Sequence, residues 1–177
     1  MKALLIIDMI KGFTEPETNK GKCALYLPDA KGLIPNINRE ISKLRRGVDR
    51  LIFVRDSHSD NDKEFEMFPK HCLSGTEEAK SADGFEHEGI MAHNFPKTRF
   101  SALFGTPIEY LLSEYENIEE VIVTGVCTEI CILFTVADLR MRDYGVVVPR
   151  DCVSGLTKEG HEWALNHMEK ILGAEIR

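Results

Sequence analysis

The stretch from Glu120 to Gly155, EVIVTGVCTEICILFTVADLRMRDYGVVVPRDCVSG, constrains the fold more than any other part of the chain. It opens on a run suited to a buried strand, Val121-Ile122-Val123-Thr124, and Gly125 predicts a tight turn. A helix is expected from Thr128, with the Thr128 hydroxyl as its N-cap. Ile130, Leu133, Phe134, Ala137 and Met141 recur at helical spacing and predict its apolar face. Gly145 and Val146-Val147-Val148 then read as a second strand. Two parallel strands need a crossover of this kind, so the unit predicts a parallel sheet. Ligand chemistry in such sheets sits where strands end and helices begin. Cys131 falls there, and the positive end of a helix dipole favours the thiolate. On position alone, the plainer reading is a small core side chain, because cysteine is among the most buried residue types.

The rest of the chain extends the pattern. Lys2–Ile7 is a short apolar run ending at Asp8, as expected of a buried parallel strand with a carboxylate at its C-terminal end. A long loop is expected from Met9 to Asp29. Leu33, Ile34, Ile37, Ile41 and Leu44 predict an amphipathic helix ending near Gly47. Leu51–Val54 is a second strand closed by Arg55 and Asp56, followed by an irregular polar segment from Ser57 to about Met91. A short strand is expected over 94–97, and a helix from Pro107 through Tyr115. The last helix is expected from Thr157 to Leu172 through Trp163, Ala164, Met168, Ile171 and Leu172, with a terminal strand over 174–176. Strands alternating with helices imply an α/β fold: a three-layer α/β/α sandwich around a mainly parallel, Rossmann-like sheet of about six strands.

Composition sets the outer bounds. At 177 residues, 43% hydrophobic and 29% charged, the chain suits one globular domain, 1–177. The net charge of −7, with no basic cluster, argues against nucleic acid as partner. No apolar run reaches membrane-spanning length and no signal peptide is visible, so the expectation is a cytoplasmic protein with no membrane partner. Cys23, Cys72, Cys127, Cys131 and Cys152 are an odd, scattered set with no CxxC pair and do not look like a disulfide framework. No GxGxxG follows the first strand, which argues against a dinucleotide enzyme.

Three strand ends thus present Asp8, Lys97 and Cys131. A carboxylate beside a thiol can act as its base, and a nearby lysine favours the thiolate. Three segments resemble the nicotinamidase and isochorismatase-like cysteine hydrolases. ALLIIDMIKGF resembles the opening strand of that family, KTRFSALFGTPIEYLL its lysine segment, and VTGVCTEICILFTVADLRMRDYGVVVPRDCVSG its cysteine elbow and following turn. The resemblance spans nearly the whole chain. It implies a catalytic triad of Asp8, Lys97 and Cys131. It also implies a cis peptide between Val126 and Cys127 and an oxyanion hole made by the backbone N–H groups of Cys127 and Cys131.

The middle segment points to one branch of that family. Asp56 and His58 sit at i and i+2, hence on one side of an extended segment. His71 follows in FPKHCLSGT, and Glu64 lies between. On spacing alone, these are equally ordinary residues of a solvated loop. Nicotinamidases carry a similar set, and the resemblance implies one divalent metal on Asp56, His58, Glu64 and His71, with zinc first and iron or manganese also suited. Phe13, Phe68 and Phe100 are candidates to sandwich a flat ring; each is equally a core side chain. The implied activity is hydrolysis of nicotinamide to nicotinate and ammonia, a step of NAD salvage, by a homo-oligomer. Two alternatives stay open: an amidase of the same superfamily acting on another small amide or a ureido acid, and a catalytically idle interaction domain. The chain departs from the commonest nicotinamidase pattern at Ile10-Lys11-Gly12, where Gln-Asn-Asp is usual, and at Ser57 and Phe68, where tryptophan is usual.

Overall fold

In the computed structural model, residues 1–114 and 118–177 are described. The chain runs β1 (Lys2–Ile7), α1 (Lys11–Thr14), β2 (Glu17–Thr18), β3 (Gly21–Lys22), α2 (Ile34–Ser42), β4 (Arg50–Asp56), β5 (Ala92–Lys97), α3 (Ile108–Ser113), β6 (Glu120–Val126), α4 (Leu133–Arg140), β7 (Val146–Val148), β8 (Val153–Ser154), α5 (Lys158–Lys170) and β9 (Glu175–Ile176). The main sheet has the order β5-β4-β1-β6-β7-β9, with β8 pairing β6. Each of its pairings is parallel. β2 and β3 form a separate antiparallel ribbon. Together with α1, this ribbon fills much of the predicted loop over 9–29.

The alternating direction of strand side chains builds the two cores. Ala3, Leu5 and Ile7 of β1 join Ile52, Val54, Val121 and Val123 on one face. Leu4 and Ile6 join Leu51, Phe53 and Ile122 on the other. The first face is covered by α3, α4 and α5 through Ile108, Leu112, Val136, Leu139, Leu165 and Met168. The second is covered by α2 through Ile34, Ile37 and Ile41. The result is the expected three-layer sandwich. β5 lies on the edge with alternating burial, where Pro96 costs no interior ladder bond.

Several local expectations are corrected. Thr128 is not a helix cap: Thr128–Ile132 is a single π-helical turn, Cys127 flanks it, and the Thr128 hydroxyl bonds His161 Nδ1 at 2.8 Å. The inward face of α4 is Thr135, Val136 and Leu139, whereas Phe134 and Met141 are exposed. Apolar and polar residues are spread around α4 with no single apolar stripe, so spacing alone could not choose its face. In α5 the buried residues are Ala164, Leu165 and Met168, and Thr157 caps the helix by accepting from the Gly160 N–H. Trp163 and Ile171 point outward, and the Trp163 ring stacks on His167. The third helix ends at Ser113 in its described part, and Tyr115 lies outside the described residues. Among the described residues, no helix is long and apolar enough to cross a membrane.

Candidate active site

The C-terminal ends of four parallel strands meet over one spot. β1 delivers Asp8, β4 Asp56 and β5 Lys97; Cys131 sits in the π turn after β6. At Gly125 (φ +111°), β6 approaches β1 so closely that a Cβ would lie 2.0 Å from the Ile7 carbonyl oxygen. Only glycine fits there, and this close approach brings the Cys127–Cys131 turn beside Asp8. The Val126–Cys127 peptide is cis, as the resemblance implies. Asp8 itself takes a left-handed backbone (φ +54°). Its N–H donates to the Val54 carbonyl at 2.8 Å, and its Oδ1 accepts the Asp56 N–H at 2.8 Å.

Lys97 is the hub. Its ammonium lies 2.7 Å from Asp8 Oδ2, bonds Asp56 Oδ1, and reaches Cys131 Sγ at 3.5 Å. All four side chains are buried. Burial opposes the charge on Lys97, but the carboxylates of Asp56 and Asp8 overcome it and hold the amine protonated well above the ordinary range. Burial, then the neighbouring Asp56 carboxylate, push Asp8 up to about 6 against the pull of Lys97. Burial works against ionisation of Asp56 too, yet Lys97, His58 and His71 hold it below the usual carboxylate range. Burial works against the thiolate that the helix end favours: it pushes the Cys131 thiol well above its ordinary value, with Lys97 pulling the other way. Lys97 joins Asp8 and Cys131, its ammonium meeting both Asp8 Oδ2 and Cys131 Sγ. A buried thiol needs a base at the moment of attack, and Asp8 is within reach to serve.

The second cluster touches the first through Asp56. Asp56, His58, Glu64 and His71 are all buried, and one ligand-type atom from each lies within 4.8 Å of all the others. Asp56 Oδ2 is 3.6 Å from His58 Nε2 and 3.8 Å from His71 Nε2; Glu64 Oε1 is 3.9 Å from each imidazole. Both rings are anchored through their other nitrogen. His58 Nδ1 meets Asp62 Oδ2 at 3.1 Å, and His71 Nδ1 meets the Pro69 carbonyl at 2.8 Å. These contacts aim both Nε2 atoms inward, which is how histidine ligands are held. His58 Nε2 and Glu64 Oε2 are buried with no hydrogen-bond partner. Burial first, and the Asp56 carboxylate second, raise the pKa of Glu64. Orphaned donor atoms, two imidazoles and two carboxylates fit a borderline divalent ion such as zinc, iron or manganese.

A cavity of about 100 Å³ opens beside Cys131. That is several times the ~10–15 Å³ one water needs, enough for a small organic molecule. Phe13, Phe68 and Phe100 line it together with Asp56, Glu64 and His71. The Phe13 ring lies 5.9 Å from His71, and Phe68 meets Phe100 edge-on at 6.2 Å. A hollow of about 630 Å³ beside α2, with Arg46, Phe85 and His87 in its wall, is larger. Its wall holds no thiol and none of the four ligand-type residues, so volume alone does not mark the site.

A family model described as the isochorismatase domain matches residues 2–176. The chain belongs to the isochorismatase family. An uncharacterized isochorismatase family protein PncA of Bacillus subtilis (strain 168) is 33% identical over 99% of this chain and 98% of its own length. A probable inactive nicotinamidase of Arabidopsis thaliana is 28% identical, over 96% of this chain and 88% of that protein. Among solved structures, a pyrazinamidase/nicotinamidase from Streptococcus mutans UA159 superposes with a TM-score of 0.87 at 29% identity, covering 100% of both chains. A pyrazinamidase of Pyrococcus horikoshii in complex with zinc gives 0.83 at 27% identity, covering 99% of this chain and 98% of that one.

Within this isochorismatase-family site the structure brings together the residues named for the triad, the oxyanion hole, the ligand set and the ring sandwich. It also adds some. Leu25, Ile130 and Leu156 supply further apolar wall. Glu129 accepts the Leu156 N–H at 2.8 Å and so ties that wall to the cysteine turn. Asp62 and Arg99 stand behind His58. Apart from Ile130, which the helical spacing marked as apolar, none carried a signal of its own in the sequence, because each acts through a fold-dependent neighbour.

Proposed function

We propose that this chain hydrolyses nicotinamide to nicotinate and ammonia through a thioester on Cys131. The observation that carries the reading is the convergence of a buried Asp8–Lys97–Cys131 cluster and a four-ligand cluster on one apolar cavity. Asp8 accepts the Cys131 proton, and sulfur attacks the carboxamide carbon. The N–H groups of Cys127 and Cys131 receive the developing oxyanion. Asp8 returns its proton to nitrogen as the C–N bond breaks, so ammonia leaves and a thioester remains. Asp8 then takes a proton from water, whose oxygen attacks the thioester; nicotinate leaves and Cys131 regains its proton. Lys97 keeps both carboxylates in place throughout. Phe13, Phe68 and Phe100 hold the ring, and the residues that would hold the ion are Asp56, His58, Glu64 and His71. A bound divalent ion would supply a ligand position for the ring nitrogen and so orient the substrate. Pyrazinamide offers the same nitrogen and amide, and suits the same site. The setting we infer is cytoplasmic NAD salvage.

Similarity to a probable inactive nicotinamidase favours one competing reading, a domain without turnover. The present triad speaks against it, since each of its three groups lies within bonding reach of another. Ammonia release from nicotinamide, pyrazinamide, benzamide and an aliphatic ureido acid, with metal content measured on the same sample, decides the matter. Turnover of the two ring-nitrogen amides above benzamide is expected. Turnover of the ureido acid alone points to another amidase, and none with any substrate points to the idle domain.

A further inference from the structure

Asp62 lies in none of the motifs, yet it touches two of the four candidate ligands. Its Oδ2 accepts from His58 Nδ1 at 3.1 Å. Its Oδ1 accepts the Glu64 backbone N–H at 2.9 Å, capping the 3₁₀ turn Lys63–Glu66 that carries Glu64. Arg99 Nη1 braces the same oxygen at 2.8 Å. The Asp62 side chain is only 6% exposed, so these contacts are largely shielded from water. The other histidine is held differently: a neutral backbone carbonyl, that of Pro69, accepts from His71.

We infer that Asp62 is a positioning residue for the metal site, fixing the His58 ring and the Glu64 turn with one carboxylate. The inference rests on the metal-dependent reading above. Accepting at Nδ1 places the ring proton there and turns the Nε2 lone pair into the cluster, where it is buried without a partner. The main chain of His58 is held independently. Its N–H donates to the Cys72 carbonyl at 3.1 Å, and its carbonyl accepts from the Ser74 N–H at 2.8 Å. Loss of Asp62 therefore frees the ring and the Glu64 turn while the loop backbone stays. A carboxylate on the far nitrogen also makes the imidazole a stronger donor, which the Pro69 carbonyl does less. The two histidines are thus unequal, and His58 is the one whose affinity is tuned.

The test uses metal-free full-length protein, zinc affinity by chelator competition, and the visible spectrum of the cobalt(II)-loaded form. Asp62→Ala is expected to weaken zinc binding ~10–100-fold, the usual loss on removing such a partner, and to shift the cobalt bands. Asp62→Asn keeps an acceptor without the charge and is expected to fall between, which covers failure of the alanine variant to fold. Arg99→Ala, which removes only the brace, is expected to cost less than Asp62→Asn. The cobalt spectrum reports ligand arrangement, which a merely structural role for Asp62 would not move. Zinc affinity and cobalt bands unchanged in both Asp62 variants overturn the inference. Parent protein that binds neither metal at one equivalent overturns the metal-dependent reading itself, a distinct result.

Discussion

Both ends of the main sheet bury carboxylates, and they treat them in opposite ways. At the N-terminal ends of the strands, Asp49 is almost fully covered. It is saturated by Arg45 through Nε at 3.1 Å and Nη2 at 2.9 Å, and by the N–H groups of Arg45 and Lys2, each at 2.8 Å. At the C-terminal ends, the buried carboxylates of Asp8 and Asp56 share one buried ammonium, Lys97, and a third buried carboxylate, Glu64, faces His58 and His71 beside them. Asp49 is held down to about 2: burial opposes this, but the Arg45 and Lys2 contacts exceed it. Asp8 is pushed up to about 6. One end compensates its charge and serves stability. The other leaves proton affinity and unfilled donor atoms in place, as a site for proton transfer and an ion requires.

The sharpest way to break this contrast is at the nucleophile. Cys131→Ala should lower nicotinamide turnover by ~10⁴-fold or more with the fold intact, as loss of a covalent nucleophile does elsewhere. Cys127→Ala should be tolerated, because the role proposed for Cys127 lies in its backbone. Peptide mapping after iodoacetamide should find the label on Cys131; a label on Cys127, or substantial turnover by Cys131→Ala, would reverse the assignment.

Asp8→Asn keeps shape and removes the base, so a loss of at least ~10²-fold is expected. Iodoacetamide labelling of Cys131 should slow in parallel, since the buried thiol then has no carboxylate to take its proton. Unchanged rates in both assays would remove Asp8 from proton transfer.

The ion-binding half of the site can be removed separately. His71→Ala should lose metal and nicotinamide turnover together while Cys131 remains open to alkylation. Chelation should depress nicotinamide turnover by roughly tenfold more than benzamide turnover, the scale of one lost orienting contact of about 1.4 kcal/mol. Equal loss for both amides would assign the ion a role in the chemistry rather than in holding the ring.

How far the sequence revealed this site follows from what each residue depends on. β1, β4 and β6 were legible because strands buried on both faces are continuous apolar runs. Asp8 and Asp56 were legible because a carboxylate closing such a run stands at the ligand-binding edge. The inward face of α4 was not, since Phe134 and Val136 are equally apolar and only packing decides between them. Thr128 looked like a cap, but its hydroxyl partner is His161, 33 residues away. The burial that opposes a thiolate at Cys131 was hidden for the same reason: a helix end is a local feature, whereas burial is set by the whole fold. Asp62 reads as one more acid in a polar loop until Arg99 and His58 close around it.

The smallest expected effect tests the quiet end of the sheet. Asp49→Asn should leave turnover unchanged and lower stability at neutral pH. Because the folded pKa of Asp49 lies near 2 and the unfolded one near the ordinary carboxylate value, its ionised form stabilises the fold above about pH 4. A depression of this size corresponds to roughly 2 kcal/mol, and Arg45, itself 60% exposed, is not stranded by the change. As pH falls from about 4 towards 2 the parent protein takes up the proton, and the advantage fades. Urea unfolding of both proteins at several pH values should show curves separated by that amount at pH 7 and converging near pH 2. A gap that persists unchanged at pH 2 would mean that Asp49 acts through packing rather than charge, and the two ends of the sheet would no longer differ in the way proposed.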